Sequence, residues 1–290
     1  MAVRSKNSSR RSAQNPAQKT MLCEGLSFAA AEAYKLLRTN LMFSLPDKPC
    51  RILGVTSSIR GEGKSTTAVN LAFTLAQAGK RTLLIDADMR LPSVSGKLGI
   101  HSRPGLSNLL AGLTEESKAL RQSEQLSNWF ILPAGDIPPN PSELLGSERM
   151  HALLERCSQA FDFIVIDLPP INIVTDALVI SSWTDGLIVV VRQNYTDGKA
   201  LNACMYQIKQ LGSKFMGFVM TDAMVGKGSY KRYGKYGKYG YDYGYGYGYE
   251  DAGKKSSKID AAFREATMEA AAEPLAGGKH SASNLTDTDD

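Results

Sequence analysis

The chain has few of the residues that build disulfide or metal sites, with four cysteines and three histidines among 290 residues. The cysteines lie far apart in sequence and form no CxxC pair, which argues against a disulfide framework and against a structural zinc site. The histidines show no metal-ligand spacing. The pattern therefore predicts isolated, buried thiols in a reducing compartment.

Also absent is any apolar stretch long enough to span a bilayer, and the first nineteen residues contain five basic residues without the apolar core of a signal peptide. We therefore expect a cytoplasmic protein. The formal net charge is +5, yet residues 20–225 contain 19 basic and 19 acidic residues. Positive charge is concentrated in the N-terminal arm and in the segment 227–238, and acidic residues prevail from residue 249 onward. A basic arm this short indicates a solubilising tail, with attraction to nucleic acid or anionic lipid as the alternative.

Six short apolar runs alternate with helix-length spacers along the chain. They occupy residues 51–56, 82–86, 129–132, 161–167, 187–192 and 215–221. Helical spacing of apolar residues predicts helices over residues 26–43 and from about residue 64 to 78. Buried strands that alternate with helices favour an α/β fold, a mostly parallel sheet with helices on both faces, here with flexible tails at both ends. Ligands of such sheets bind at the carboxyl ends of the strands.

The first apolar run leads into a glycine-rich loop that opens a helix, with the sequence SSIRGEGKST at residues 57–66. This order of strand, loop and helix is the setting of a phosphate-binding P-loop. Glycines let backbone N–H groups curl around phosphate oxygens, the lysine adds a charge beside them, and the serine hydroxyl can bind Mg²⁺. A glycine-rich turn without ligand is the alternative. The predicted phosphate-binding residues are Ser58, Arg60, Gly61, Glu62, Gly63, Lys64, Ser65 and Thr66.

Two further apolar runs end in aspartates, LLIDADMR with Asp86 and Asp88, and FIVIDLPP with Asp167. A single aspartate at the end of a strand is often only a helix cap. Three of them on strands parallel to the P-loop strand should reach the same edge of the sheet. Mg²⁺ prefers octahedral oxygen coordination with few protein ligands, so Ser65 with one or two of these carboxylates is chemically sufficient.

Nine of the twelve tyrosines fall within residues 230–249, in the run YKRYGKYGKYGYDYGYGYGY. A segment in which tyrosine alternates with glycine cannot pack a core, so we expect its phenols to remain reachable from water. A glycine-rich coil of about twenty residues spans roughly 25 Å, enough to visit a site on its own or an adjacent subunit. The candidate phosphoacceptors are Tyr230, Tyr233, Tyr236, Tyr239, Tyr241, Tyr243, Tyr245, Tyr247 and Tyr249.

Together, GEGKST, LLIDADMR and FIVIDLPP resemble the Walker A, A′ and B motifs of the bacterial tyrosine kinases of capsule and exopolysaccharide synthesis, and the tyrosine-rich C terminus is similar to theirs. The resemblance covers roughly residues 26–249 and implies a P-loop NTPase-like fold that uses ATP and Mg²⁺. It implies that Lys64 and Ser65 hold the nucleotide and metal, that Asp88 and Asp167 complete the metal sphere, and that Asp86 is the base for an incoming tyrosine. Arg60 stands where the family commonly has proline. Its side chain either contacts phosphate or remains in solvent as an ordinary loop arginine.

The resemblance also predicts the organisation and partners of the chain. Its regions are a basic arm at 1–25, a kinase domain at 26–225, a tyrosine-rich tail at 226–251 and a low-complexity extension at 252–290. Glu32, Lys35 and Arg38 resemble the family's Glu-x-x-Arg-x-x-Arg motif, which implies a ring-shaped homo-oligomer; a surface ladder of ion pairs is the alternative.

The resemblance implies two partners. One is a separate membrane-anchored activator of the polysaccharide co-polymerase type, which recruits the kinase to the inner face of the membrane. The other is a protein-tyrosine phosphatase. No nucleic-acid partner is expected.

Two other functions fit the same motifs. The first is a related P-loop ATPase that positions or partitions cargo. Such ATPases typically have a second lysine early in the loop, at the position of Ile59 in this chain. The absence of that lysine favours the kinase. A non-catalytic scaffold would use ATP binding only for assembly, and intact Lys64, Ser65 and Asp167 argue against it.

Overall fold

The computed structural model describes residues 26–210 and 212–223. The N-terminal arm, the tyrosine-rich tail with its nine candidate acceptors and the C-terminal extension lie outside the described residues. In the described part, no helix is long and apolar enough to cross a membrane.

The described residues form a seven-stranded sheet in the order β3-β4-β2-β5-β1-β6-β7. Neighbouring strands run parallel except β3 and β4, which are antiparallel. The strands are β1 Arg51–Ser57, β2 Thr82–Asp86, β3 Arg121–Gln122, β4 Trp129–Leu132, β5 Phe163–Asp167, β6 Gly186–Arg192 and β7 Phe215–Thr221.

Helices connect these strands. They are α1 Phe28–Ser44, α2 Lys64–Gln77, α3 Val94–Leu98, α4 Leu106–Leu110, α5 Glu116–Ala119, α6 Pro141–Leu145, α7 Glu148–Ser158, α8 Asp176–Ser181 and α9 Gly198–Gln210. Every residue of β2 and β5 is buried, and since successive strand residues point to opposite sides, both faces of the sheet are covered. The predicted α/β fold is therefore confirmed.

The core on one face joins α2 to the middle of the sheet. Leu53, Val165 and Leu84 are matched in register across β1, β5 and β2, and they pack with Leu71 of α2 in one cluster of buried residues. Apolar contact of this extent fixes the start of α2 relative to the strand ends.

All six predicted strands are present, with small changes at their ends. β5 begins at Phe163, two residues later than predicted, and β6 begins one residue earlier, at Gly186. The sequence did not predict β3, because two polar residues carry no periodic pattern. The first predicted helix is α1, and the second is α2, which ends at Gln77.

Candidate functional site

The loop between β1 and α2 has the backbone shape that its glycines predict. Gly61 and Gly63 adopt positive φ angles of 82° and 94°, a region that residues with a side chain rarely enter. Lys64 is the first residue of α2, so the loop ends at a helix N terminus, where unpaired N–H groups and the helix dipole favour anions.

The side chain of Glu62 lies inside this loop. Its carboxylate is fully buried and accepts hydrogen bonds from the Ser58 hydroxyl at 3.0 Å and from the backbone N–H of Ile59 at 2.8 Å. Ser58 is also fully buried. These two predicted phosphate-binding residues thus use their side chains to hold the loop together and do not present them to a ligand.

Lys64 lies between two of the predicted carboxylates. Its Nζ is 2.7 Å from Asp88 Oδ2, 3.4 Å from Asp167 Oδ1 and 3.2 Å from Ser65 Oγ. Strand register explains the meeting, since Asp167 at the end of β5 lies opposite Val55 of β1 and opposite Asp86 of β2. The expectation that these residues share one edge of the sheet is confirmed.

Burial and charge perturb this cluster strongly. Burial alone would lower the pKa of Lys64, but the charges of Asp167 and Asp88 outweigh it and the pKa is raised. The pKa of Asp167 is also raised, because burial outweighs the opposing charge of Lys64 and a hydrogen bond from Ser65. Titratable groups perturbed together beside a P-loop are typical of a functional site.

Asp86 differs from the other two carboxylates. It is fully buried, and its oxygens accept backbone N–H groups of Val94 at 3.1 Å, Ser93 at 3.2 Å and Asp88 at 3.3 Å. Burial and the charge of Asp167 raise the pKa of Asp86 to about 8, against the opposing hydrogen bond from Val94. The carboxylate therefore anchors the loop that follows β2, while Asp88 faces the cleft.

The raised pKa of Asp86 predicts a pH-dependent stability difference between the protein and its Asp86→Asn variant. A carboxyl that binds its proton more tightly when folded stabilises the fold at low pH, and this contribution is lost as pH rises from about 4 towards 8. Without nucleotide and with EDTA, the free energy of unfolding of Asp86→Asn relative to the unmodified protein should rise by at least about 1 kcal/mol between pH 5 and pH 8. Urea unfolding at both pH values measures this difference.

The difference between the two pH values removes every effect of Asp86→Asn that does not depend on pH. Asp47→Asn is a matched control, since the Asp47 side chain is fully exposed and forms an ion pair with Arg51. A pH-independent difference for Asp86→Asn would show that the Asp86 carboxyl titrates normally.

The chemistry of the cluster fits Mg²⁺. Asp167 Oδ2 is buried and has no hydrogen-bond partner among the described residues, a costly state that a cation at this point would relieve. Ser65 and Asp88 supply further oxygen donors beside it. Among the described residues no group of three or more His, Cys, Asp or Glu side chains could hold a metal ion.

A cleft of about 370 Å³ opens above the loop. Its walls include the predicted Arg60, Gly61, Gly63, Lys64, Ser65, Thr66 and Asp88, together with Leu91, Ser93 and Lys97, which sequence analysis did not single out. The three additional residues follow the end of β2, and their only sequence signal was that position. The Arg60 side chain is exposed at this cleft.

The three α1 residues predicted to contact other subunits form contacts within the chain. Glu32 and Lys35 form an exposed ion pair of 2.7 Å, as in the alternative of a surface ladder of ion pairs. Arg38 donates to the backbone carbonyl of Thr74 at 3.0 Å and so ties α1 to the end of α2. The three residues thus have intrachain partners, and a role between subunits stays a prediction.

The chain is similar to proteins of known family and structure. Residues 50–217 match the family described as AAA domain. The tyrosine-protein kinase CpsD of Streptococcus agalactiae is 38% identical over 208 residues, which is 71% of this chain and 90% of that protein. The kinase domain of Escherichia coli tyrosine kinase ETK superposes with a TM-score of 0.67 at 28% identity, over 83% of this chain and 89% of that one. The chimerical protein CapA2B2 gives a TM-score of 0.62 at 35% identity, over 65% and 83% of the two chains.

Proposed function

The chain belongs to the bacterial tyrosine-protein kinases, and from this premise we propose that it transfers the γ-phosphoryl group of ATP to tyrosines of its own C-terminal cluster at residues 230–249. The observation that carries the proposal is the position of Lys64, at the start of α2 and bridging Asp88 and Asp167. A P-loop cation paired with strand-end carboxylates supplies what phosphoryl transfer needs, namely position and charge neutralisation.

Each residue of the cluster has a separate task in this proposal. Loop N–H groups and the Lys64 ammonium bind the phosphates, and Lys64 leaves the carboxylates when the anionic nucleotide arrives. Ser65 and Asp167 would hold Mg²⁺, which when bound neutralises charge that develops on the phosphoryl oxygens. Transfer forms a bond from the phenol oxygen to the γ-phosphorus and breaks the bond to the β-phosphate oxygen, so that ADP leaves.

A carboxylate must accept the phenol proton as the new bond forms, because a phenol has a pKa near 10. The sequence pointed to Asp86 for this task. Its oxygens are occupied by backbone N–H groups, whereas Asp88 lines the cleft, so we propose Asp88 as the acceptor once Lys64 has moved to the phosphates.

We extend the proposal to the biological setting through the family. The kinase would act in trans within a ring of subunits, controlled by a separate membrane-anchored activator and reversed by a protein-tyrosine phosphatase. Its phosphorylation state would regulate capsule or exopolysaccharide synthesis and chain length. Recruitment by the activator would bring it to the inner face of the membrane.

Transfer between subunits can be tested with two complementary variants of the full chain. In the donor all nine tail tyrosines are changed to phenylalanine, and in the acceptor Lys64 is changed to methionine. Neither variant alone should gain phosphotyrosine with Mg-ATP, because the donor lacks acceptors and the acceptor lacks the P-loop cation. Their mixture should yield phosphotyrosine on the Lys64→Met chain, measured by anti-phosphotyrosine blotting of size-tagged chains. An active unmodified protein together with a silent mixture would show that transfer occurs within one chain.

A further inference from the structure

The turn between β6 and α9, residues 192–196, contacts three consecutive residues of the P-loop from outside. Tyr195 donates its hydroxyl to the carbonyl of Arg60 at 3.1 Å. Arg192 donates from Nη1 to the carbonyl of Gly61 at 3.2 Å. These contacts join parts of the chain more than 130 residues apart in sequence.

The third contact reaches the buried carboxylate inside the loop. Thr196 is buried, and its hydroxyl donates a hydrogen bond to Glu62. The same hydroxyl accepts the backbone N–H of Arg192 at 2.8 Å, which closes the turn. Because Glu62 is fully buried, a hydrogen bond to its side chain counts for more than a hydrogen bond at the surface.

The turn itself is firmly built. Arg192 packs 5.2 Å from the ring centre of Tyr195 and forms an ion pair with Asp222 at 2.6 Å, just after β7. Asn194 adopts a left-handed conformation with φ of 59°, which asparagine tolerates better than most residues. Tyr195 is half exposed, and its hydroxyl contacts the loop through the hydrogen bond to Arg60.

The close approach also restricts Gly61. A Cβ atom at this residue would lie 2.9 Å from the Tyr195 hydroxyl oxygen. Glycine at this position therefore serves two purposes, the positive φ angle and the space for Tyr195.

We propose that Tyr195 and Thr196 are positioning residues that hold the P-loop in its phosphate-binding shape before ATP arrives. A loop binds phosphate through N–H groups only while its carbonyl oxygens stay away from the anion. The carbonyls of Arg60 and Gly61 accept hydrogen bonds on the outer side of the loop and therefore point away from the phosphate. This preorganisation lowers the free-energy cost of binding the nucleotide. The inference requires nucleotide binding by the loop and is independent of which residue receives the phosphoryl group.

The test uses Tyr195→Phe, which keeps the ring beneath Arg192 and removes only the hydroxyl, and Thr196→Val, which keeps the shape and removes the donor to Glu62. The dissociation constant for Mg-ADP, measured by calorimetry, should rise about three- to tenfold in each, the range for losing one hydrogen bond. KM for ATP should rise in parallel, while kcat at saturating ATP should change less than about twofold, because the bound nucleotide restores the loop. Thr196→Ser should restore binding.

Tyr206→Phe is the matched control, since Tyr206 is a more exposed tyrosine on α9. Its affinity for Mg-ADP should equal that of the unmodified protein. If the Tyr195 hydroxyl only stabilised the fold, Tyr195→Phe would have a lower unfolding temperature without nucleotide and an unchanged affinity for Mg-ADP. Unchanged affinity in Tyr195→Phe, or loss of kcat without loss of affinity, overturns the proposal even if Thr196→Val does not fold.

Discussion

Changing Lys64 to methionine is expected to lower the rate of tyrosine phosphorylation by about 10³-fold or more, the range for removing a cation that stabilises a transferring phosphoryl group. Lys64 Nζ is 2.7 Å from Asp88 and 3.4 Å from Asp167, and both carboxylates are buried. Methionine has similar length and no charge, so the anionic triphosphate would meet carboxylates without compensation. ATP affinity should fall as well as kcat. Phosphate transfer from radiolabelled ATP gives the rate, and calorimetry gives the affinity.

Lys118→Met is the matched control because Lys118 forms an exposed ion pair with Glu115 on the approach to edge strand β3. Exposed pairs contribute little to stability, so this variant should keep full activity. Circular dichroism should confirm that Lys64→Met is folded, since removal of one partner from a buried ion pair is destabilising. A folded Lys64→Met protein with more than about a tenth of the original rate would exclude the charge role assigned to Lys64.

Changing Asp167 to asparagine should lower the rate of tyrosine phosphorylation about as much as Lys64→Met does, but it should affect ATP binding differently. The buried Asp167 Oδ2, without a partner among the described residues, is the strongest indication of a cation site. Asparagine removes a ligand for Mg²⁺ and one negative charge beside the phosphates. The rate should fall by about 10³-fold, while ATP binding in EDTA should be equal to or tighter than that of the unmodified protein.

The decisive comparison is the gain in ATP affinity on adding Mg²⁺. In the unmodified protein this gain should be clear, and in Asp167→Asn it should largely disappear. Asp47→Asn again serves as the control, with unchanged rate and unchanged Mg²⁺ dependence. If Asp167→Asn kept both its rate and its Mg²⁺ gain, Asp167 would not belong to the metal site.

Much of this site could be predicted from sequence because the geometry of a parallel sheet determines it. Apolar runs that end in aspartate place the carboxylates at the carboxyl edge, and the loop before α2 arrives at the same edge. Asp167 and Asp88 therefore lie at Lys64 as expected. The glycine pattern predicted a loop whose backbone curls tightly, and the positive φ angles of Gly61 and Gly63 agree with it.

Orientation and long-range contacts could not be predicted in this way. Asp86 and Asp88 are two residues apart beyond a strand end, and only the path of the following loop decides that one binds Val94 and the other binds Lys64. The hydrogen bond from Tyr195 to Arg60 joins residues 135 positions apart and leaves no local pattern. Contacts of this kind depend on how the loops of neighbouring strands pack.

The most direct test is to incubate the full chain with Mg-ATP, with and without the proposed membrane-anchored activator, and then to map phosphate on residues 230–249 by peptide mass spectrometry. Phosphotyrosine should appear within this segment, and Lys64→Met should show none. Nucleotide hydrolysis without phosphate on any of these nine tyrosines would contradict self-phosphorylation of the tail and would favour an ATPase whose product is ADP and free phosphate.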